Sequence, residues 1–264
     1  MKKTILHILT ILVVSTNYGQ DILFRKIKTD TTTHYNFVNN TLAYLTLSLK
    51  TTREIHFTVL EGETICKPKD SITRIISYPK LLENDPTFKL NEFIELSYGF
   101  GKRLNAVEIE PFNYELPFKT GKRYKIMQGF NGKFSHQSVQ SKYAKDFKIP
   151  IGDTIVAARN GYVVRVLSHF TERGGKSYVD KANQIVIVHD DGTFAYYVHL
   201  DTNGTLVKVN DYVKAGQPIG ISGFTGYTTK PHLHFVVRNF DAAIPIEFKK
   251  QKGIGRKTGV WVKN

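Results

Sequence analysis

The sequence predicts an all-β protein, in which a small N-terminal β-sandwich-like domain precedes a second strand-rich domain. Short runs alternate apolar and polar residues with period two, turn residues separate the runs, and helix signals are few. Residues 40–49 and 53–60 carry the alternation, and 93–98 and 107–110 continue it. The stretch 111–121, with Pro117 and Gly121, reads as a linker. From Arg123 onward, residues 156–158, 161–166 and 184–188 are rich in β-branched side chains and strand-like. Asp190, Asp191 and Gly192 then supply a hairpin turn into 194–199. The chain shows no internal repeat of roughly 20–50 residues.

The chemistry concentrates in Pro231-His232-Leu233-His234-Phe235. Strand side chains alternate, so His232 and His234 share one face while Leu233 and Phe235 point to the core. Two histidines on one face can bind one metal, or one can bind while the other handles protons. Upstream stand His136 in a Phe-Ser-His-Gln segment, Asp146 in Tyr-Ala-Lys-Asp-Phe, and His199 in Tyr-Val-His-Leu. A catalytic zinc site needs three N or O ligands and an open position, whereas structural sites are closed and commonly rich in Cys. Cys66 is the single cysteine, which excludes a thiolate site and any intramolecular disulfide. His136, Asp146, His199, His232 and His234 therefore form a candidate set of three ligands and two proton-handling residues. His34 and His56 stand alone and read as structural or exposed; His189 lies beside the ligand blocks and reads as structural. His169 and the Gly- and charge-rich stretch 171–181 read as an exposed loop that rims a groove.

Five ordered blocks carry a resemblance: GFNGKFSHQ (129–137), YAKDF (143–147), GDTIVAARNGYVVRV (152–166), NQIVIVHDDGTFAYYVHL (183–200) and VKVNDYVKAGQPIGISGFTGYTTKPHLHFVVR (207–238). Over about residues 123–245 the chain resembles the lysostaphin/LytM-type zinc metalloendopeptidases. The resemblance implies a LytM-type metallopeptidase domain of antiparallel sheets around an open groove, holding one Zn2+ per chain. It assigns His136, Asp146 and His234 as metal ligands, and His199 and His232 as the catalytic pair that positions and deprotonates a metal-activated water. It implies hydrolysis of stem or crossbridge peptides of bacterial peptidoglycan. The alternative is a catalytically inactive homologue that binds cell wall or regulates another hydrolase; such a chain would normally have lost ligands, and none is missing here. The chain departs from the commonest family pattern at several positions. His136 and Asp146 are ten residues apart rather than four, as in a subgroup reading SHQ…YALDF, and Lys142 stands at the usual ligand position. Phe224 and Lys230 replace a frequent Asn and Gly, and Phe130 and Phe134 occupy the region of a frequent Tyr.

Compartment follows from the first residues. Lys2 and Lys3, an apolar run over 5–14 and a polar stretch over 15–20 read as a secretory signal, too short to span a bilayer. The expected division is a signal peptide over 1–19, an accessory β domain over 20–120, the metallopeptidase domain over 121–250 and a basic tail over 251–264. The location implied is periplasmic or extracellular, for a monomer without a membrane anchor. Net charge is +14, or +12 once Lys2 and Lys3 are removed. Such a charge attracts polyanions. The basic residues are dispersed and the chain is exported, which argues against nucleic acid and favours anionic cell-wall polymers.

Overall fold

The computed structural model describes residues 11–12, 22–102, 113–240, 242–249 and 251–264. The signal-peptide reading over 1–19, apart from the Ile11–Leu12 backbone, and the alternation at 107–110 fall outside the described residues. Strands dominate what is described, with short 3-10 turns and no α-helix. No helix among these residues is long and apolar enough to cross a membrane. The chain divides into two units, Met1–Lys102 and Arg103–Asn264.

The first unit contains two antiparallel sheets. One runs in the order Ile11–Leu12, Ile22–Lys28, Thr32–Asn39, Asp70–Pro79, Thr58–Val59, and the other in the order Gly62–Cys66, Leu45–Thr51, Ile94–Phe100. Thr32–Asn39 shows the period-two signature directly, with Thr33, Tyr35, Phe37 and Asn39 buried and their neighbours half-exposed. Phe24 and Phe37 of the first sheet meet Tyr98 of the second at ring-centroid distances of 5.9 and 5.7 Å, so the sheets pack face to face. The alternation at 40–49 becomes a strand only from Leu45. Buried Asn39 donates to the Ala43 and Lys67 carbonyls and accepts from Thr41, which fixes the preceding residues as a turn. The run 53–60 contributes only Thr58–Val59, because the Glu61 carboxylate accepts the Thr51 N–H and closes 51–61 as a loop.

The second unit is built on an eight-stranded antiparallel sheet. Its order is Tyr212–Val213, Gly161–Leu167, Gln184–Val188, Phe194–Val198, Leu233–Arg238, Lys145–Lys148, Arg123–Gln128, Trp261–Lys263. A three-stranded sheet of Thr154–Val156, Pro218–Ser222 and Leu200–Thr205 covers the same core through Ile155, Ile219 and Leu200. Phe147, Leu233, Phe235 and Tyr197 fill that core from the strands that also carry Asp146, His234 and, just past the strand end, His199. The stretch 111–121 is not a free linker where it is described. Asn113–Tyr114 pairs in parallel with Glu247–Phe248, and Tyr114, Leu116 and Phe118 are buried in the core of the second unit. Isolated large apolar residues without a period gave no strand signal there. The C-terminal stretch is likewise structured, since Trp261–Lys263 pairs with Arg123, Tyr124 and Lys125.

The Asp191-Gly192 hairpin joins Gln184–Val188 to Phe194–Val198, with Gly192 at φ 82° and Asp191 accepting from Thr193 and pairing with Arg159 at 2.6 Å. His189 at its base is buried; its Nδ1–H donates to the Asn160 carbonyl at 2.8 Å, and its Nε2 has no hydrogen-bond partner among the described residues. Burial, with Arg159 close by, lowers its pKa to about 4.

Two outcomes follow. A chain starting at Arg103 keeps Tyr114, Leu116 and Phe118 and melts cooperatively, whereas one starting at Arg123 loses all three. Deleting each large core side chain costs about 3–5 kcal/mol against a total of about 5–15 kcal/mol. Circular dichroism melts check this, and a cooperative melt of the shorter chain refutes the boundary. The unfolded chain takes up a proton at His189 before the folded one, so stability falls as pH drops from 6.5 towards 4 and then levels off. The wild type should lose about 3 kcal/mol more than His189→Asn across that window, at about 1.36 kcal/mol per pH unit of displacement. Denaturant melts at several pH values read the difference.

Candidate metal centre

One row of residues crosses the sheet at right angles to its strands. Gln128 lies opposite Asp146, Asp146 opposite His234, and His234 opposite Val198, which precedes His199. The core partners Phe147, Leu233 and Phe235 hold this register, since a slip of one residue would turn every side chain to the other face. The HLH stretch behaves as its alternation demands: Leu233 and Phe235 enter the core while His232 and His234 approach Asp146 at 3.7 and 2.9 Å.

His136 arrives from outside the sheet, in the turns of 129–144. Its Nδ1–H donates to the Gly129 carbonyl at 2.9 Å and its Nε2 faces Asp146 Oδ1 at 3.1 Å. His234 Nδ1 stands 2.9 Å from the same oxygen. These ligand atoms of His136, Asp146 and His234 lie within 4.8 Å of one another, so the trio could hold a metal ion. His136 and Asp146 are buried and His234 is half-buried.

The donor chemistry fits a cation. With Nδ1–H committed to Gly129, His136 Nε2 meets a carboxylate oxygen at 3.1 Å, a contact that is favourable only with a proton or a cation between the two atoms. Ligands about 2.0–2.1 Å from a tetrahedral zinc ion stand about 3.3 Å apart. The observed separations of 2.9 and 3.1 Å are close to that. Burial would raise the Asp146 carboxyl, but hydrogen bonding to His136 and His234 holds it well below the usual range, so it is ionised. Burial lowers the His234 pKa despite the adjacent carboxylate.

His199 and His232 stand beside this trio with ring centroids 4.7 Å apart. Each commits Nδ1–H to a backbone carbonyl, His199 to Thr225 at 2.7 Å and His232 to Lys230 at 2.8 Å. In the neutral form of either ring the free atom is therefore Nε2. Burial, with His232 and His234 nearby, lowers the His199 pKa to about 3, so it is neutral at pH 7. His199 has φ 67°, a left-handed conformation that costs a non-glycine residue about 1–3 kcal/mol. The kink falls where the chain leaves Phe194–Val198 for Leu200–Thr205, and the His199 carbonyl accepts the Gly223 N–H at 3.0 Å.

Gln128 was not in the candidate set. Its Nε2 donates to Asp146 Oδ2 at 3.1 Å and Ser135 at 2.9 Å, and its Oε1 accepts the Phe134 N–H at 3.0 Å. It thus ties the carboxylate to the loop of His136. Gly132 makes room, because a Cβ there would lie 2.0 Å from the Gln128 side chain. Asn183, Thr225 and Thr228 were missed as well. Asn183 bonds Phe170 and Asp201, Thr225 Oγ1 bonds Leu200, and Thr228 Oγ1 bonds Lys230. Lys142 stays out of the trio and lies over the Tyr143 ring. His56 and His169 are exposed, and His34 is half-exposed. The loop 171–181 meets the segment before the HLH, as Arg173–Gly174 pairs with Gly226–Tyr227 and Tyr227 stacks on exposed Phe134 at 6.0 Å.

Comparison with known proteins places this geometry in context. The Peptidase family M23 model matches residues 140–246, a span that holds Asp146, His199, His232 and His234 and starts just after His136. Lysostaphin of Staphylococcus simulans is 42% identical over 123 residues, covering 44% of this chain and 23% of that protein. Peptidoglycan DD-endopeptidase ShyB of Vibrio cholerae is 38% identical over 119 residues, 43% of this chain and 25% of that one. Lipoprotein NlpD of Yersinia enterocolitica is 35% identical over 102 residues, 38% of this chain and 94% of that one. The solved structure of lysostaphin from Staphylococcus simulans aligns with TM-score 0.36 at 36% identity, over 46% of this chain and 47% of that one. The chain thus spans about a quarter of the lysostaphin sequence it matches. The family model match, together with a relative 35% identical that this chain covers over 94% of its length, shows the family: the chain belongs to Peptidase family M23.

Proposed function

We propose that this protein is an exported zinc endopeptidase that hydrolyses peptide bonds in bacterial peptidoglycan. The observation that carries the reading is the convergence of His136 Nε2 and His234 Nδ1 on Asp146 Oδ1, with His199 and His232 alongside. The substrate is supported by relatives named lysostaphin and peptidoglycan DD-endopeptidase. Export is supported by the lysine-led apolar run at the start of the chain, and the charge of the chain suits anionic wall polymers. The first unit serves as an accessory β domain and the second as the metallopeptidase domain.

His136, Asp146 and His234 would hold the ion, and two imidazoles with one carboxylate favour zinc over magnesium. Zinc held there would supply Lewis acidity, polarising a carbonyl and lowering the pKa of a water to about 7. His199 and His232 handle the proton. Their Nδ1–H groups are committed to Thr225 and Lys230, so each bare Nε2 accepts a proton and then delivers it to the leaving amine. Gln128 holds Asp146 so that Oδ1, not Oδ2, faces the histidines. The rim formed by Phe134, Tyr227 and 171–181 admits an extended peptide with small residues at the cut.

The purified chain should contain about one zinc per molecule, and Asp146→Ala or His234→Ala should strip most of it. His199→Ala and His232→Ala should keep the metal and lose about 10²–10⁴-fold in turnover. Elemental analysis beside hydrolysis of purified sacculi reads both; wild-type turnover in either catalytic variant sinks that residue's role. Muropeptide release should stop with a chelator, and casein should remain intact; casein cleavage beside untouched sacculi overturns the substrate. Gln128→Ala should weaken zinc binding by about 10–100-fold, the usual effect of losing a group that orients a ligand. Competition with a chromophoric chelator measures it, and unchanged affinity removes Gln128 from the site.

A further inference from the structure

In the strand Lys145–Lys148, Asp146 faces the histidines, while Lys145 and Phe147 take the opposite, core-facing side. Phe147 belongs to the core cluster, and Lys145 stands opposite Phe235 in register. Lys145 is only 1% exposed, where alternation calls for an apolar residue. Its Nζ donates to the carbonyls of Ile254 and Gly255 at 2.8 and 2.9 Å and lies 4.4 Å from the centre of the Phe130 ring. The Gly255 carbonyl also accepts the Phe130 N–H at 2.9 Å. Gly255 lies against that residue so closely that a Cβ would stand 2.4 Å from a Phe130 ring carbon. Gly129, next in the chain to Phe130, supplies the carbonyl that holds His136 Nδ1–H.

From this connected path we propose that Lys145 and the C-terminal residues 254–257 form a positioning device for His136, acting through Phe130 and Gly129. The inference rests on the metal-site reading above. A buried amine is a poor means of stabilising a fold, since burial lowers the Lys145 pKa to about 7 and an apolar side chain of similar size is often neutral or better in such a place. The carbonyls it serves have other partners: Gly255 keeps the Phe130 N–H, and Ile254 accepts the Lys257 N–H at 3.1 Å. What Lys145 adds is a fastening between the ligand strand and the C-terminal segment. That segment is bound along its length, through Val260 and Gly259 to Ile126 and through Trp261 to Lys125. The His136 loop is thereby gripped between Asp146 on one side and a strap at the end of the chain on the other.

The test uses the full chain, with Lys145→Met and Gly255→Ala. Two measurements are made: the affinity for Zn2+ alone, by competition with a chromophoric chelator, and the tautomer of the His136 ring in the metal-free protein, by long-range 1H–15N correlation. Lys145→Met should melt at or above the wild-type temperature yet bind Zn2+ about tenfold or more weakly. Its His136 signal should change from a single Nδ1–H form to an exchange average, while His199, held by Thr225, stays fixed. Gly255→Ala should do the same with the lysine in place. Unchanged affinity and unchanged tautomer in both variants overturn the proposal. A lower melting temperature with His136 unmoved also overturns it, by assigning Lys145 to the fold alone. Should Lys145→Met not fold, Gly255→Ala decides on the same two readings. Should the wild type bind no Zn2+, the endopeptidase reading fails, and the His136 tautomer still decides the role of Lys145.

Discussion

A carboxylate that is almost wholly buried in the middle of a β-sheet is the constraint around which the second unit is arranged. Asp146 is 6% exposed and ionised, and an uncompensated buried charge costs several kcal/mol. Compensation comes along a single row across the sheet, from Gln128 on one neighbouring strand and His234 on the other, and from His136 above it. The row exists only in one register, and that register is held from below by Phe147, Leu233 and Phe235. The packing of the core and the convergence of the polar groups are therefore one fact seen from two faces of the same strands.

This explains what could be read from the sequence. Period two placed His232 and His234 on one face without any tertiary information, and Leu233 and Phe235 are found in the core as required. The Asp-Gly hairpin and the strand ending at His199 were visible for similar local reasons, because turn chemistry and alternation act within a few residues. Gln128 was not visible, because its meaning depends on which residue lies opposite, and register between distant strands has no local signal. Tyr114, Leu116 and Phe118 were lost among prolines and charges, although all three are core residues. Lys145 contradicts the pattern that made the rest legible: a charged residue in a core-facing position reads as a break in alternation, and it is the carbonyls of 254 and 255 with the Phe130 ring that account for it.

The orientation of the histidines depends on groups that no sequence pattern reports. Gly129, Thr225 and Lys230 each offer a main-chain carbonyl to an Nδ1–H, of His136, His199 and His232 respectively. A carbonyl asks nothing of its own side chain, so the requirement falls on the loop that aims it. Thr225 is aimed by its hydroxyl on Leu200 and by the Asn183 N–H that this hydroxyl accepts; Lys230 is aimed by Thr228. The strained φ of His199 belongs to the same arrangement, since the kink turns the ring out of the strand and toward Thr225.

The residues that aim these rings also belong to the rim. Thr225 lies between Phe224, which Arg173 covers at 4.4 Å, and Gly226, whose N–H donates to the Glu172 carbonyl at 2.8 Å. Tyr227 precedes Thr228 and stacks on Phe134, two residues before His136. The loop 171–181, the segment before the HLH and the loop of His136 are consequently joined at their exposed edges as well as at the site. The Thr225 carbonyl and Thr228, which meet the rings of His199 and His232, lie in the same segment as these edge contacts. The contacts along the exposed edges and the orientation of the His199 and His232 rings are properties of one connected set of loops.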